Sequence, residues 1–269
     1  MMKHRQGESP AQTSYLRKRL RHNRCVSYAR ILILVLFLAL WEYCAYKNII
    51  DSFIFSSPSR IVRCFLDMAY DGSIFLHIGT TLYETIASFL LVTLFSILLA
   101  VALWCSPTLS EIMEPWLVVL NSLPKSALAP LLIVWLGATP TTIIVAGMSV
   151  AVFGSIMNLY TSFRSADPEK ITLIRTLHGT RRHVLTKVIL PGSIPAIISN
   201  MKVNIGLCLV GVVIGEFLAA RQGLGYLIIY SSQVFKMNWL LMSILLLCLM
   251  SMLLYALINL AEKICRKRF

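Results

Sequence analysis

Six long apolar stretches constrain this chain more than any other feature. They cover residues 26–46, 80–105, 116–136, 141–160, 196–217 and 239–261. A helix rises about 1.5 Å per residue, so roughly 20 apolar residues cross a hydrocarbon core about 30 Å thick. In lipid the backbone must satisfy its own polar groups, which for such stretches means helix. The expected fold is therefore an all-α polytopic membrane protein with six transmembrane helices. The chain is 57% hydrophobic and 14% charged, with mean hydropathy +0.75. Soluble domains have about 45–50% apolar and about 25% charged residues. A soluble enzyme of ordinary composition is excluded, and so is intrinsic disorder. The first stretch follows a basic segment, as the core of a signal peptide would. Its apolar run is long, however, and Trp41-Glu42-Tyr43 stands where a small-residue cleavage site would be needed. A retained helix is expected.

The charge is asymmetric. Lys and Arg total 25 against 12 Asp and Glu, a net charge of +13. The N-terminal tail, counted through Arg30, carries eight of the 25, the loop 161–195 carries six, and the C-terminal tail carries four. With an even number of spans these 18 share one side, whereas Lys47, Arg60, Arg63, Arg221 and Lys236 lie on the other. The positive-inside rule then puts both termini in the cytoplasm, so the charge reports orientation and no nucleic-acid partner is expected. The seven cysteines are scattered without a C-x-x-C, and the five histidines are dispersed. There is no phosphate-binding G-x-x-x-x-G-K-[ST] loop. No catalytic residue, metal site or cofactor is expected in this chain.

The loop 161–195 has its own order. Asp167-Pro168-Glu169 reads as an N-cap, a proline at the first helical position and an acid in the first turn. Ile171, Ile174 and Leu177 recur at intervals of three on one face, and Gly179 is positioned as a C′ stop. Thr180 then caps a second short helix to about Leu190, which Pro191 and Pro195 end. The other face carries Arg175, Arg181, Arg182 and Lys187. One reading is a basic connector lying on anionic headgroups. A DNA-reading helix-turn-helix is disfavoured because both ends are tied to spans. The third reading is a knob that docks into a groove on a cytoplasmic partner.

The sequence here resembles a family. Leu177-His178-Gly179 followed by Val188-Ile189-Leu190-Pro191 is similar to the cytoplasmic coupling motif of ABC-importer permeases, E-A-A-x3-G-x9-I-x-L-P. Aligned from Leu190-Pro191, the motif glycine falls on His178 and the E-A-A on Thr172-Leu173-Ile174. The Leu-Pro end and the spacing fit, whereas the acidic start and the glycine do not. The stretch 121–137, with Asn121-Ser122-Leu123-Pro124-Lys125 and Trp135-Leu136-Gly137, resembles the third span of nitrate/sulfonate/taurine-type permeases. Ser57-Pro58-Ser59, His77, Thr81 through Phe89, and Glu216-Phe217 with Gly223-Leu224-Gly225-Tyr226 resemble other segments of that family, in family order.

The resemblance implies the type I ABC-importer permease fold of methionine and maltose importers. It divides the chain into a basic cytoplasmic tail (1–28), a permease domain (29–262, core about 77–262, coupling loop 161–195) and a basic tail (263–269). It implies a multi-pass protein of the bacterial cytoplasmic membrane that forms a pore with a second permease copy. A cytoplasmic ABC ATPase dimer, holding ATP and Mg, would power it, and an extracytoplasmic solute-binding lipoprotein would deliver the solute. The resemblance leaves sulfonates, taurine, nitrate and thiamine-pyrimidine-like or other small organic compounds open as solutes; a small anionic one such as a sulfonate, taurine or nitrate is the expectation. Thr172, Arg175, Leu177, His178, Gly179, Leu190 and Pro191 are then the ATPase-coupling residues. Of the alternatives, a secondary transporter would need intramembrane carboxylates or broken helices in corresponding halves, and the chain has no internal duplication; a membrane protein without transport activity would not explain the ordered matches.

Ionisable groups within spans mark polar interiors or interfaces. They are Glu42, Glu84, Lys125, Lys202 and Glu216. Lys125, with Asn121, Pro124 and Pro130 nearby, lines an anion path on one reading; on the other it snorkels or pairs with a carboxylate such as Glu84. Glu42 and Lys202 read as interfacial. Glu216 with Gly223 and Gly225 forms an extracytoplasmic gate or a plain turn. Gly206, Gly211 and Gly215 allow close helix approach, within the chain or at a two-fold interface.

Overall fold

The computed structural model describes residues 10–266 apart from 48 and 52, so Lys3, Arg5, Lys267 and Arg268 lie outside the described residues. The chain divides into two compact units, 1–63 and 64–269. In the first unit, helix α1 runs without a break over Pro10–Tyr46. Helix α2, Pro58–Tyr70, begins in this unit. Glu42 caps its first turn: Ser59 donates its N–H to Oε2 (3.0 Å) and its hydroxyl to Oε1 (2.7 Å). An acid beside a helix N-terminus opposes the positive end of the helix dipole, so Glu42 has a defined partner.

The second unit is built on α3 (Ser73–Cys105), α6 (Pro140–Arg164) and α9 (Leu190–Ala219), with α10 (Leu224–Gln233) and α11 (Met237–Arg266) packed beside them. Small residues bring the three long helices together. A Cβ on Gly211 of α9 would fall 2.8 Å from the Cα of Gly147 in α6 and 3.0 Å from the Ala146 carbonyl oxygen. A Cβ on Gly147 would fall 2.5 Å from Ser88 Oγ of α3. Gly215 packs on Ile143 and Ala146, whereas Gly206 has open space around its Cα. Gly211 and Gly215 therefore serve packing within the chain. Polar side chains fasten the same helices. Ser88 Oγ donates to the carbonyls of Glu84 (2.7 Å) and Ile144 (3.0 Å). Ser155 Oγ donates to Ser96 Oγ (2.8 Å) and accepts from Asn200 (2.6 Å) and Asn204 (2.9 Å). Between apolar helices such bonds fix the register that apolar packing alone leaves open.

Among the described residues, five helical segments are long and apolar enough to cross a membrane: Tyr28–Tyr46, Ser73–Cys105, Pro140–Arg164, Arg181–Ala219 and Met237–Lys263. The third expected span is not one rod. It is a pair, α4 (Pro107–Ser122) and α5 (Lys125–Leu136), bent by 96°, so the count is six if the pair is one span. Pro124 disfavours helical dihedrals at the residue before it, and Leu123 is extended at ψ 139°. The segment 106–115, expected as a loop, is the first half of α4, because Ser106 accepts from the Leu109 N–H as an N-cap. Lys202 is not merely interfacial: it pairs with Glu262 of α11 at 2.6 Å.

This packing gives a paired expectation. Gly211→Leu should lower the thermal midpoint of detergent-purified protein and its monodisperse yield, because backbone blocks the new side chain. Gly206→Ala should leave both unchanged or slightly improved, since alanine is favoured over glycine in a helix by about 1 kcal/mol.

Candidate functional site

Two regions gather most of the residues singled out in the sequence. The 30 residues of α9 span about 45 Å, so Leu190 and Glu216 lie at opposite ends of the bundle. The α6–α9 loop is at the Leu190 end.

That loop forms α7 (Pro168–Thr176), then α8 (Arg181–Val184), a π turn (Leu185–Ile189) and α9. Asp167 caps α7 as expected, accepting from the Glu169 N–H at 3.0 Å. The C-terminal stop differs from expectation. His178, not Gly179, has left-handed φ (57°), and its N–H reaches Arg175 O at 3.0 Å. The Gly179 N–H reaches Ile174 O at 2.8 Å, completing a Schellman turn with His178 at C′. Gly179 is needed for a different reason: a Cβ there would fall 2.7 Å from Ile174 O. The family's motif glycine thus corresponds to the one position in this turn that calls for positive φ, and here a histidine occupies it.

The apolar residues of α7 divide. Ile171 and Ile174 pack on a core of Ala100, Leu159, Phe163, Val184 and Ile189. Leu173 and Leu177 instead remain 59% and 71% exposed, so Leu177 does not share the packed face expected of it. Thr172 and Arg175 are exposed, and the Thr172 hydroxyl donates to Pro168 O at 2.9 Å. Leu190 packs inward against the same core. Pro191 and Pro195 do not end the second helix. The π turn shifts the hydrogen-bond register just before it, the Leu190 N–H reaching Leu185 O, and Pro191 falls in the first turn of α9. Arg181, read from sequence only as part of a basic face, donates from Nη1 to Cys105 O at 2.8 Å and ties the loop to the last turn of α3.

At the opposite end, Glu216 is fully buried (0% exposed). Helix α10 starts beside it, and its leading N–H groups need acceptors. Side chains of α3 and α9 supply them. Gly223 N donates to His77 Nδ1 (3.1 Å), Leu224 N to Thr81 Oγ1 (2.8 Å) and Gly225 N to Glu216 Oε2 (2.5 Å). The Thr81 hydroxyl in turn donates a hydrogen bond to Glu216 Oε1 at 2.6 Å. A carboxylate at a helix N-terminus is the charge the dipole favours. The glycines are steric requirements. Gly223 has φ 117°, and a Cβ on Gly225 would fall 2.6 Å from Glu216 Oε2. His77 stacks on Tyr226 (6.2 Å) and Tyr226 on Tyr230 (5.9 Å). His77 and Thr81 belong to the quoted motif at the start of α3, but no sequence spacing announces that Thr81 meets Glu216, 135 residues on, or that His77 meets Gly223, 146 residues on.

Glu84 is also buried (1% exposed), and its Oε2 has no hydrogen-bond partner among the described residues. It does not pair with Lys125, as one reading expected. Lys125 Nζ donates to Asn121 O, and to Asn121 Oδ1 at 3.4 Å. It therefore places a cation at the C-terminal end of α4, where the dipole favours it. Asn121, Pro124 and Lys125 come together at the bend, and Pro130 lies within α5. A Cβ on Gly154 of α6 would sit 3.3 Å from Asn121 Oδ1, so α6 passes close to this corner. Among the described residues no group of three or more His, Cys, Asp or Glu is arranged to hold a metal ion.

Long lipid-facing helices, a broken helix pair and one structured loop define a polytopic transport subunit. The chain belongs to the family of binding-protein-dependent transport system inner membrane components, whose model matches residues 92–269. It is 28% identical over 225 residues to a Haemophilus influenzae protein named "Probable ABC transporter permease protein", covering 84% of this chain and 91% of that one. It is 25% identical to the formylaminopyrimidine transport permease protein ThiX of Halalkalibacterium halodurans (72% and 77% covered). It is 26% identical to the taurine transport system permease protein TauC of Escherichia coli (72% and 73% covered). The fold resembles a chain of the inward-facing MetNI methionine ABC transporter with TM-score 0.62 at 15% identity, covering 71% of this chain and 96% of that one. The architecture is that of a type I ABC-importer permease.

The α7 turn yields a test. His178→Gly should relieve about 1 kcal/mol of left-handed strain, slowing trypsin cleavage at Arg175 and Arg181 by roughly fivefold where cleavage follows the open population. Gly179→Ala should speed it.

Proposed function

We propose that this permease subunit forms half of a pore for a small anionic organic solute such as a sulfonate or taurine, driven through α7 by a separate ABC ATPase dimer. The single observation that carries the coupling is the division of α7 into a packed side and an exposed one. Ile171 and Ile174 pack on a core drawn from α3, α6, α8 and the π turn, while Leu173 and Leu177 project from the helix as exposed apolar side chains. A ridge anchored on one side and bare on the other suits a groove on a partner. Arg181 and the π turn join it to α3 and α9, so force on α7 would reach two spans. Leu177, Thr172, Arg175 and the His178-Gly179 turn are the contact residues in this reading, whereas Leu190 and Pro191 set the angle of α9 from within.

The permease is placed in the bacterial cytoplasmic membrane with both termini and α7 on the cytoplasmic side, as the charge asymmetry favours. On that placement 1–28 and 263–269 are cytoplasmic tails flanking the permease domain. A second copy of this chain completes the pore, and a solute-binding lipoprotein delivers to the face bearing Glu216, Gly223 and Gly225. ATP and Mg belong to the ATPase. The anionic solute is argued from Lys125 at the bend of α4–α5, with Asn121, Pro124 and Pro130 beside it, and from the name of the taurine permease it resembles. ThiX, a relative of similar identity, is named for a formylaminopyrimidine, so the ligand bound by the cognate binding protein is the decisive measurement for substrate class.

Two variants test this reading. Leu177→Asp should reduce co-purification with the ATPase, since losing a buried leucine costs about 2 kcal/mol, roughly thirtyfold in affinity; undiminished complex formation would overturn the docking role. Lys125→Met should abolish uptake of the solute with the complex still assembled. Normal uptake would remove Lys125 from the path.

A further inference from the structure

At the Glu216 end of the bundle, the turn into α6 and the loop after α9 close over α3 and leave a cavity of about 190 Å³. Glu84 lines it and is the deeply buried polar group there, at 1% exposure, with Oε2 lacking any hydrogen-bond partner among the described residues. The neighbouring hydroxyls cannot serve that oxygen, because their protons are spent elsewhere. Thr80 donates to Leu76 O at 2.9 Å. The Thr142 hydroxyl donates to Gly137 O at 2.6 Å, so in the Thr139–Thr142 hydroxyl pair (3.1 Å) Thr139 is the donor. A buried acceptor without a donor is costly, so the cavity favours an occupant that brings one.

The rim has the opposite character. Arg221 and Gln222 line the same cavity and are exposed. Arg221 forms no salt bridge among the described residues, with Glu84 or with any other acid. Pro140 and Ile143 add apolar wall. A carboxyl group at the floor and a guanidinium at the rim thus share one space without reaching each other. That space is smaller than the roughly 300–1,000 Å³ of drug-sized sites, which limits an occupant to a short carbon chain with a polar group at each end.

We infer that this cavity binds a small zwitterion, its ammonium group toward Glu84 Oε2 and its acidic group toward Arg221 and Gln222. The ammonium supplies the donor that Oε2 lacks. The guanidinium offers paired N–H groups matched to a carboxylate or sulfonate. The inference deepens the proposed function and rests on its placement of this face toward delivered solute. It narrows the solute to one that carries an amino group beside its acidic group.

The test uses the full-length permease in lipid nanodiscs and saturation-transfer NMR titrations. Taurine and β-alanine are the zwitterionic probes, and ethanesulfonate and ethylamine carry one end each. Wild type should bind one of the zwitterions at least about tenfold more tightly than either one-ended probe. Arg221 is exposed, so Arg221→Gln should keep the wild-type thermal midpoint while weakening the zwitterion about tenfold and leaving ethylamine unaffected. Glu84→Gln should weaken the zwitterion by a similar factor and leave ethanesulfonate unaffected. Binding of neither zwitterion by wild type, equal affinity for taurine and ethanesulfonate, or zwitterion affinity unchanged in Arg221→Gln would overturn the site, and none of these needs Glu84→Gln to fold. Binding lost in Lys125→Met and kept in Arg221→Gln would move the solute to the α4–α5 bend, overturning this site while the anion path of the proposed function stands. Binding that depends on Arg221, with uptake normal in Lys125→Met, would support this site and remove that path.

Discussion

In a chain whose solvent is mostly hydrocarbon, backbone N–H groups without partners are the greatest structural liability, and the start of α10 is where this one meets it most directly. A helix beginning inside the bundle exposes several N–H groups that no turn precedes. Here they are all received by side chains from elsewhere: His77, Thr81 and Glu216. The close approach this needs explains why glycines stand at 223 and 225, and why an acid is tolerated at full burial. The short α10 can then reverse the chain between α9 and α11 without an unsatisfied turn in the membrane.

The other end of the bundle answers a different requirement. It must present a rigid feature outside the lipid while remaining mechanically joined to the spans. Packing of Ile171 and Ile174 on Phe163, Val184 and Ile189, the Arg181 bond to the last turn of α3, and the π turn into α9 together make α7 an extension of three spans. Between the two ends lie the small-residue contact of Gly147 with Gly211 and the hydrogen-bonded set around Ser155. These specify a single helix arrangement where apolar surfaces alone would be interchangeable.

Much of this was legible in order along the chain. The apolar runs revealed the helices because period and length are local properties. Asp167-Pro168-Glu169 announced α7 for the same reason, and the family motifs placed His77, Thr81, Glu216 and the Gly-Leu-Gly segment as notable residues. The misplacements share a cause. Pro124 was read as a feature within a span, but a proline's effect on the preceding residue broke that span into two helices. Pro191 was read as a stop, but after the π turn it falls in the first turn of α9. Gly179 was read as the left-handed residue, although only the closed turn reveals that His178 holds that conformation.

By itself the sequence determined that this protein is a bundle of long apolar helices suited to cross a membrane, with its basic residues concentrated in the N-terminal tail, one structured loop and the C-terminal tail. Those properties depend on residues close in the chain and on the solvent they require. Tertiary structure alone decided which polar side chains meet. Thr81 joined Glu216, Lys125 turned to Asn121 rather than to Glu84, Lys202 found Glu262, and Leu177 was left bare while Leu190 turned inward. A buried polar group takes whatever partner the packing of distant helices brings within about 3 Å, and that proximity is a property of the assembled bundle, not of any segment of it.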